Sequence, residues 1–362
     1  MKKYLKITVS ILVVGLVILG AYFLFRNNPT VQKLVVSVFP ASKKTVRGLG
    51  EEAGVPAPKL QSLTADPIFD YWINSKTGDV YYLNEAGQVL KKSGEAEATL
   101  ANSQTVLRLN QITVSFDGTY ALAKFNYPNF PTFSVFNTDT NSWQPLPEKT
   151  IAAAWSPNAP EIAYLDDKAL KTLNITTQKT AEVVKMTQKE LFLHWRTDSK
   201  ILLSAASDSV SKILALNLKN KTLEPFLEEA GVSIQWAKDD RLGIKLNHVN
   251  GTNQTSLVDS SGAALSTFTF VTLPSKCAIS EDKIYCAIPK DVPERTKLPE
   301  DYYKRAVYFD DVFYLIDLET GGYSEVPTEN PDLVIDADHL EVYNNTLYFK
   351  NRLDNKLYSL NL

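Results

Sequence analysis

The three histidines are the first residues to consider for chemistry. His194, His248 and His339 lie far apart in the sequence, and none has a second histidine or a cysteine at the spacing of a metal site. The sequence also lacks a Gly-x-Ser-x-Gly nucleophile motif, a glycine-rich phosphate loop and an EF-hand loop. We therefore expect no catalytic residues, no metal and no cofactor.

Three pairs of adjacent aspartates are the other residues suited to acid–base chemistry: Asp166-Asp167, Asp239-Asp240 and Asp310-Asp311. Each pair lies at or near a predicted turn, where Asp is favoured because its side chain hydrogen-bonds the local backbone. A lyase or glycosidase would need carboxylates, or a histidine with carboxylates, to converge from several parts of the fold. Spacing along the chain does not reveal such convergence.

Cys277 and Cys286 are the only two cysteines of the chain. They flank a predicted hairpin centred on Glu281 and Asp282, so we expect them to face each other across two strands. A cross-strand disulfide is geometrically possible for such a pair outside the cytoplasm. Two buried thiols that fill core space are the alternative, and the sequence leaves both open.

A repeat that recurs seven times predicts the fold. Each copy is an apolar strand that ends in an aliphatic or aromatic residue, followed by Asn or Asp and a short polar turn. The seven positions are Asn84, Asn137, Asn174, Asn217, Asp259, Asp317 and Asn361. Their spacing centres on the length of a four-stranded propeller blade. We predict an all-β fold over residues 59–362, a seven-bladed β-propeller of four-stranded antiparallel blades.

The individual strands follow from alternating apolar residues, and A to D here denote the four strands of a blade in chain order. The last blade shows only three strands before the chain ends, and the segment 59–63 is available as its outermost strand or as an extra strand of the first blade. In the first blade, residues 69–73, 80–83 and 88–91 indicate three strands. Its innermost strand is not evident.

Several segments resemble the WD40-like repeat of the TolB family. Trp155-Ser156-Pro157-Asn158 followed by Ile162-Ala163-Tyr164 matches the start of that repeat, and residues 315–321, Leu-Ile-Asp-Leu-Glu-Thr-Gly, match its end. The resemblance covers about residues 60–362, although Phe116 and Thr197 replace the proline in two blades. It implies a propeller fold. It implies no particular role, because translocation proteins and peptidase propellers share this repeat.

The N-terminal residues 1–26 form a separate segment. Three lysines precede an apolar run from Ile7 to Phe25, which is long enough to span a bilayer and lacks a good cleavage site. We predict an uncleaved signal anchor, with a cleaved signal peptide as the alternative. Residues 27–58 are rich in Pro and Gly and are expected to form a linker. Because long domains are translocated largely regardless of charge, we expect a single-pass protein of the cell membrane with an extracytoplasmic propeller.

The charges of the chain are unevenly distributed. Residues 1–56 contain eight Lys or Arg and two Asp or Glu, out of 38 basic and 41 acidic residues in the whole chain. The propeller is therefore acidic, which argues against a nucleic-acid partner because such binding depends on phosphate neutralisation. The basic linker suits contact with anionic lipid or an anionic wall polymer, or it is simply solvated.

Long loops accumulate on one side of the predicted ring, where the B–C and D–A connections lie. They comprise residues 93–110, 126–132, 248–254 and 289–310. Aromatic and Arg side chains in two of these loops suit a binding surface, and the candidates are Arg295, Tyr302, Tyr303, Arg305, Tyr127 and Phe130. A lid that folds back over the channel is the alternative for residues 290–305. If these residues only bind, a short Gly-Ser turn in their place should leave the melting temperature nearly unchanged.

These observations favour a binding or scaffold module in the cell envelope, with a protein or glycan partner on the long-loop side. The alternative is a propeller-type polysaccharide lyase or glycosidase that acts at the channel mouth. A sensor or assembly subunit is a third possibility. Composition and motifs do not identify the ligand.

Overall fold

The computed structural model describes residues 59–126, 130–186, 188, 191–205, 211–329 and 332–362. The predicted transmembrane helix, residues 1–26, and the predicted linker, residues 27–58, lie outside this part of the chain. Within the described ranges, no helix is long and apolar enough to cross a membrane.

The described residues form seven four-stranded antiparallel sheets, which confirms the predicted seven-bladed β-propeller. Blade 7 begins with β1 (Leu60–Ser62), far from its other strands in sequence. Blade 1 contains β2 (Ile68–Ile73), β3 (Val80–Asn84), β4 (Val89–Lys92) and β5 (Thr99–Asn102). Blade 2 contains β6 (Leu109–Val114), β7 (Tyr120–Phe125), β8 (Thr132–Asn137) and β9 (Ser142–Pro145). Blade 3 contains β10 (Ala152–Trp155), β11 (Glu161–Leu165), β12 (Ala169–Asn174) and β13 (Thr180–Lys185).

The second half of the chain continues the same order. Blade 4 contains β14 (Leu191–Thr197), β15 (Lys200–Ala205), β16 (Ser211–Asn217) and β17 (Leu223–Glu229). Blade 5 contains β18 (Ser233–Trp236), β19 (Leu242–Val249), β20 (Thr252–Asp259) and β21 (Ala264–Thr267). Blade 6 contains β22 (Cys277–Ser280), β23 (Lys283–Pro289), β24 (Asp311–Asp317) and β25 (Tyr323–Glu325), and blade 7 ends with β26 (Ala337–Tyr343), β27 (Thr346–Asn351) and β28 (Lys356–Asn361). A 3-10 helix (Pro274–Lys276) and a one-turn α1 (Glu300–Tyr303) complete the described elements.

Strands A to D of each blade run from the central channel to the outside of the ring. The A–B and C–D turns therefore lie on one side, called the A–B face here, and the B–C and D–A connections lie on the other, called the B–C face. The core lies between neighbouring blades, where large rings fill the space: Trp155 of blade 3 stacks on Tyr120 of blade 2, for example, with ring centroids 5.9 Å apart.

The N-terminal strand closes the ring. β1 pairs with β28 as the outermost strand of blade 7, in the register Leu60–Leu360, Gln61–Ser359 and Ser62–Tyr358. This confirms the first of the two places expected for residues 59–63. Both ends of residues 59–362 therefore lie in one blade, and β1 covers the backbone edge that β28 would otherwise expose.

Blade 1 differs from the prediction. Its innermost strand is β2, the first of the three predicted strands, and the missing strand is the outermost β5, which lies inside the predicted loop 93–110. Asn84 consequently ends strand B and lies on the B–C face, whereas the other six Asn or Asp positions end strand C. The Asn84 Oδ1 atom accepts a hydrogen bond from the backbone N–H of Gln88 at 2.9 Å. Asx turns of this kind form after any strand, so the local signal does not distinguish strand B from strand C.

Blade 5 contains no long B–C loop, contrary to the prediction for residues 248–254. β19 and β20 are eight residues each and continue to a two-residue turn. Both turn residues, Asn250 and Gly251, have positive φ, of 52° and 80°. This conformation suits a tight hairpin whose twist matches its strands. The additional residues therefore lengthen the sheet and form no loop.

The two cysteines are joined by a disulfide bond. Cys277 in β22 and Cys286 in β23 are paired across the strands, and their sulfur atoms are 2.07 Å apart. Both residues are buried between blades 5 and 6, in a cluster with Ile244, Ile284 and Ile316. The bond thus occupies the core position that aromatic residues fill in other blades.

Candidate functional site

Two β-bulges shape the opening of the central channel on the B–C face. In β26 the pairing register shifts between Asp338 and Glu341, and His339 adopts a left-handed backbone with φ of 52°. In the neighbouring β2 the register shifts between Ile68 and Asp70. Bulges redirect side chains at the rims of sheets. Here they bring together residues of blades 7 and 1, and this opening, with Asp70, Asp338, His339 and Lys350, is called the channel mouth below.

His339 and Asp70 form an ion pair at the channel mouth. The His339 Nδ1 and Asp70 Oδ1 atoms are 2.6 Å apart. The buried Tyr71 donates its hydroxyl hydrogen bond to the His339 carbonyl oxygen at 2.5 Å, and its ring centroid lies 4.8 Å from that of His339. Burial lowers the pKa of His339, but the Asp70 carboxylate outweighs this effect and raises the pKa to about 9. His339 is therefore a cation at neutral pH.

Lys350 and Asp338 complete the channel mouth. They lie opposite each other in β27 and β26, and the Lys350 ammonium group donates a hydrogen bond to the Phe69 carbonyl oxygen of blade 1. Burial lowers the pKa of Lys350, and the nearby Arg305 charge acts in the same direction. The Oδ1 atom of Asp338 is buried without a hydrogen-bond partner among the described residues.

Residues 290–310, which connect β23 to β24 in blade 6, are from here on called the insertion. A buried ionic network lies beneath them. The Lys276 ammonium group, which is fully buried, contacts Asp311 at 2.5 Å and Asp336 at 2.6 Å. Arg352 of blade 7 contacts the other Asp336 oxygen at 2.8 Å. Burial raises the pKa of Asp311 to about 6 although Lys276 opposes the rise. The network ties blades 6 and 7 together, because removal of one charge would leave the others buried and unpaired.

Tyr302 fixes the insertion to this network. Its side chain is 1% exposed, and its ring is covered by the Arg352 guanidinium, whose carbon lies 3.6 Å from the ring centroid. The Lys276 ammonium lies 5.0 Å from the same centroid, and Phe309 stacks at 5.8 Å. Leu298 and Phe309 of the insertion are buried in the same apolar cluster. The insertion therefore packs onto the ring as an integral part of the fold.

The predicted binding residues differ in exposure and in position. Tyr302 is buried and is not available as a surface contact, because its ring packs against the Lys276 and Arg352 side chains. Tyr303 is 58% exposed and Arg305 is exposed, and both lie beside the channel mouth. Arg295 is also exposed, but it lies next to Thr296, whose carbonyl binds Asn253 of blade 5. Phe130 of blade 2 is 81% exposed, and Tyr127 lies outside the described residues.

Exposed apolar side chains are concentrated on the B–C face. Among the described residues, those on this face are Leu107, Phe130, Phe192, Tyr303, Tyr308, Val334 and Leu353, called the apolar rim below. The corresponding exposed side chains on the A–B face are Phe116, Leu223 and Tyr323. A concentration of exposed apolar side chains on the face that contains a charged opening is typical of an interaction surface.

The chemistry available at the channel mouth is limited. The enzyme alternative requires carboxylates, or a histidine with carboxylates, to converge from several blades. The channel mouth brings together His339 and Asp338 of blade 7 and Asp70 of blade 1. Because His339 is protonated at neutral pH, the pair is suited to hydrogen-bond donation and poorly suited to proton abstraction. Within the described part of the chain, no group of three or more His, Cys, Asp or Glu side chains could hold a metal ion.

The ion pair predicts a pH dependence of stability. The folded pKa of His339, about 9, is higher than its ordinary value of 6.5. The pair therefore contributes fully below pH 6.5, and its contribution is lost as the pH rises through 9. We expect the free energy of unfolding to fall between these pH values in the wild-type protein, and His339→Asn to remove this fall, since Asn tolerates the left-handed backbone. Urea unfolding at a series of pH values measures the free energy of unfolding of both proteins.

His194 provides the matched control for this experiment. Burial, together with the Arg196 charge, lowers the pKa of His194 to about 4. His194→Asn should therefore keep the wild-type slope between pH 6.5 and 9. An equal slope in His339→Asn and wild type would contradict the ion-pair assignment.

Comparisons with known proteins agree with the fold. No protein-family model matches the sequence, and no curated protein matches it at a significant level. Among solved structures, an oligogalacturonate lyase from Vibrio parahaemolyticus is 10% identical with a TM-score of 0.56, over 83% of this chain and 93% of the lyase. The C-terminal WD40 domain of Sif2 is 10% identical with a TM-score of 0.54, over 85% of this chain and 99% of that domain.

The WD40 repeats of RRP9 give a similar result, with 10% identity and a TM-score of 0.50 over 85% of this chain and 99% of theirs. At this level of identity the comparisons establish the fold alone. The chain is a seven-bladed β-propeller with fold-level resemblance to WD40 repeat proteins, as its repeats predict.

Proposed function

We propose that this protein is an extracytoplasmic, membrane-anchored binding module that holds a protein partner on its B–C face. The observation that carries the proposal is the concentration of exposed apolar side chains in the apolar rim. Tyr and Arg are enriched among the residues that carry most of the binding energy of protein interfaces, and Phe is enriched in interface composition. The rim and the neighbouring Arg305 provide these residue types around the channel mouth.

Rigidity supports the same function. The insertion is held by Tyr302 and the buried ionic network, so the exposed Tyr303 next to it is presented on a fixed backbone. A preorganised surface loses less conformational entropy on binding.

Photo-crosslinking in cells tests the proposal. A photoreactive amino acid at Phe130 or Tyr303 should give a crosslinked product of discrete mass with one partner protein. Mass spectrometry of the product identifies the partner. In binding assays with that partner, Tyr303→Ala should weaken affinity about 30-fold, the equivalent of about 2 kcal/mol at an interface anchor.

Phe116 is the matched control because it is an aromatic residue, 43% exposed, on the A–B face. The same photoreactive amino acid at Phe116 should give no product with this partner, and Phe116→Ala should leave affinity unchanged. Crosslinks from Phe116 and none from Phe130 or Tyr303 would place the interaction on the wrong face and refute the proposal.

The membrane anchor is the second part of the proposal, supported by the 19-residue apolar run from Ile7 to Phe25. The chain enters the propeller at Lys59, whose carbonyl accepts a hydrogen bond from Asn361 N–H at the C–D end of blade 7. This end lies on the A–B face. An anchor attached there leaves the apolar rim on the side opposite the attachment point.

Protease accessibility tests the anchor and its orientation. Protease added to intact spheroplasts should digest residues 59–362, while a cytoplasmic marker protein stays intact. Protection of the propeller until the membrane is lysed would show that the orientation is inward.

A further inference from the structure

A cavity of about 940 Å³ opens on the A–B face, among blades 5, 6 and 7. The A–B turns of blades 5 and 6, the C–D turn of blade 6 and the inner strand β26 of blade 7 supply its walls. Neither the apolar rim nor the Asp70–His339 pair belongs to it. The cavity therefore has no part in the protein-binding surface proposed above.

The floor of the cavity is aliphatic and only partly covered. All three blades contribute half-buried aliphatic side chains to the lining, and these are Ala237, Leu242, Ile279, Leu318 and Val342. Aliphatic surface that remains in contact with water in a concave site favours burial against another chain.

The rim of the cavity is acidic. Five acidic and two basic side chains belong to the lining. The basic ones are already paired, Lys238 with Glu341 at 3.0 Å and Arg241 with Asp239 at 2.5 Å. The other three acidic residues, which form no ion pair with another described residue, are Glu281, Asp282 and Glu319. This excess of negative charge favours an occupant that is cationic as well as apolar.

The chain itself contains a segment of this chemistry, residues 33–47, which lies outside the described residues. The segment has four basic and no acidic residues, and apolar residues such as Phe39 and Val46 lie between them. The basic residues are Lys33, Lys43, Lys44 and Arg47. Its charge and its apolar content are therefore complementary to the rim and to the floor of the cavity.

The segment is also within reach of the cavity. The chain enters the propeller at Lys59, on the same face. The chain from Arg47 to Lys59 can span up to about 40 Å, whereas the outermost and innermost strands of one blade are only about 15 Å apart. A tethered segment has an effective concentration on the order of 1 mM, so weak contacts are sufficient for binding in the same molecule.

We propose that residues 33–47 bind in the cavity of their own propeller, with their basic side chains at Glu281, Asp282 and Glu319 and their apolar side chains on the aliphatic floor. Few residues then separate the propeller from the apolar run that ends at Phe25. The bound segment would hold the A–B face next to the anchor proposed above, although the binding itself does not depend on that anchor.

Photo-crosslinking within the full chain, purified in an uncharged detergent, tests the proposal. A photoreactive amino acid at Val46 should give crosslinked peptides that contain residues of the cavity lining, in a product of monomer size. The combined substitutions Lys43→Glu, Lys44→Glu and Arg47→Glu should lower the yield of these peptides several-fold. Addition of Glu281→Lys and Glu319→Lys should restore the yield, because the charges of both surfaces are then reversed.

Glu95→Lys combined with Glu97→Lys is the matched control. Both residues are exposed in the C–D turn of blade 1, on the A–B face and outside the cavity lining. This pair of substitutions should leave the wild-type yield unchanged and should fail to restore the yield of the charge-reversed segment. The reversal in residues 43–47 alone keeps the test valid if the substitutions in the propeller impair folding.

Crosslinks only to other parts of the propeller would overturn the proposal, as would crosslinks only between two copies of the chain or no crosslinks at all. A yield that the reversal in residues 43–47 leaves unaltered would also overturn it. None of these results depends on whether a protein partner is found.

Discussion

Deletion of residues 340–362 is expected to abolish cooperative unfolding. The deletion removes most of β26 and all of β27 and β28, and it leaves β1 without a partner strand. It also removes six core side chains, each at most 7% exposed: Leu340, Leu347, Phe349, Leu357, Tyr358 and Leu360. The loss of one buried Leu or Phe costs about 2 to 5 kcal/mol, whereas whole domains are stable by about 5 to 15 kcal/mol. Urea unfolding followed by circular dichroism should show no sigmoidal transition.

The control for this experiment is deletion of residues 1–58. It leaves β1 and all of blade 7 in place, so the cooperative transition should persist. A chain without residues 340–362 that unfolds at the same urea concentration as this control would refute closure of the ring by blade 7.

Tyr302→Ala is expected to destabilise the propeller by about 3 to 5 kcal/mol, the range for truncation of a large buried aromatic side chain. The substitution creates a cavity above Lys276 and Arg352 and removes the hydrogen bond from the Tyr302 hydroxyl to the Ala337 carbonyl, 3.3 Å long. The neighbouring Tyr303 is mostly exposed, so Tyr303→Ala should change stability by about 0.5 kcal/mol or less. Urea unfolding of both variants measures the contrast.

This contrast also corrects the expectation for replacement of residues 290–305. A short Gly-Ser turn in place of residues 290–305 would remove Leu298 and Tyr302 from the core, so we now expect a large fall in the melting temperature. Equal stability of Tyr302→Ala and Tyr303→Ala would show instead that the insertion does not support the fold.

Blade number could be predicted from the sequence because it depends on local patterns, whereas closure of the ring depends on pairing between the two ends of the propeller, and the sequence left two places open for residues 59–63. Alternating apolar residues mark strands, and an Asx turn after a strand has a recognisable residue pattern. The same locality explains the error in blade 1, since Asn84 forms such a turn after strand B. The place of Cys277 and Cys286 was also predictable, because hairpin pairing determines which residues face each other.

The channel mouth could not be predicted, because its members are brought together by the closed ring. Asp70 and His339 are 269 residues apart and meet only because blades 1 and 7 are neighbours. Their orientation depends on two bulges, and a bulge leaves no reliable mark in a single sequence. Burial of Tyr302 was unpredictable for a related reason: the insertion contains two adjacent tyrosines, and only the position of the Lys276 network determines which one turns inward.

The closing strand also determines how the ring bears mechanical load. The chain before Lys59 joins β1 at its end on the A–B face, so a pull on that chain away from the propeller acts along the strand. The three pairs Leu60–Leu360, Gln61–Ser359 and Ser62–Tyr358 then share the force in shear, and they do not open one after another. If the chain is anchored and binds a partner as proposed, tension from the anchor would pass through this short strand to the partner on the opposite face. Under excess force, β1 should slide out of blade 7 before any other strand of the propeller yields.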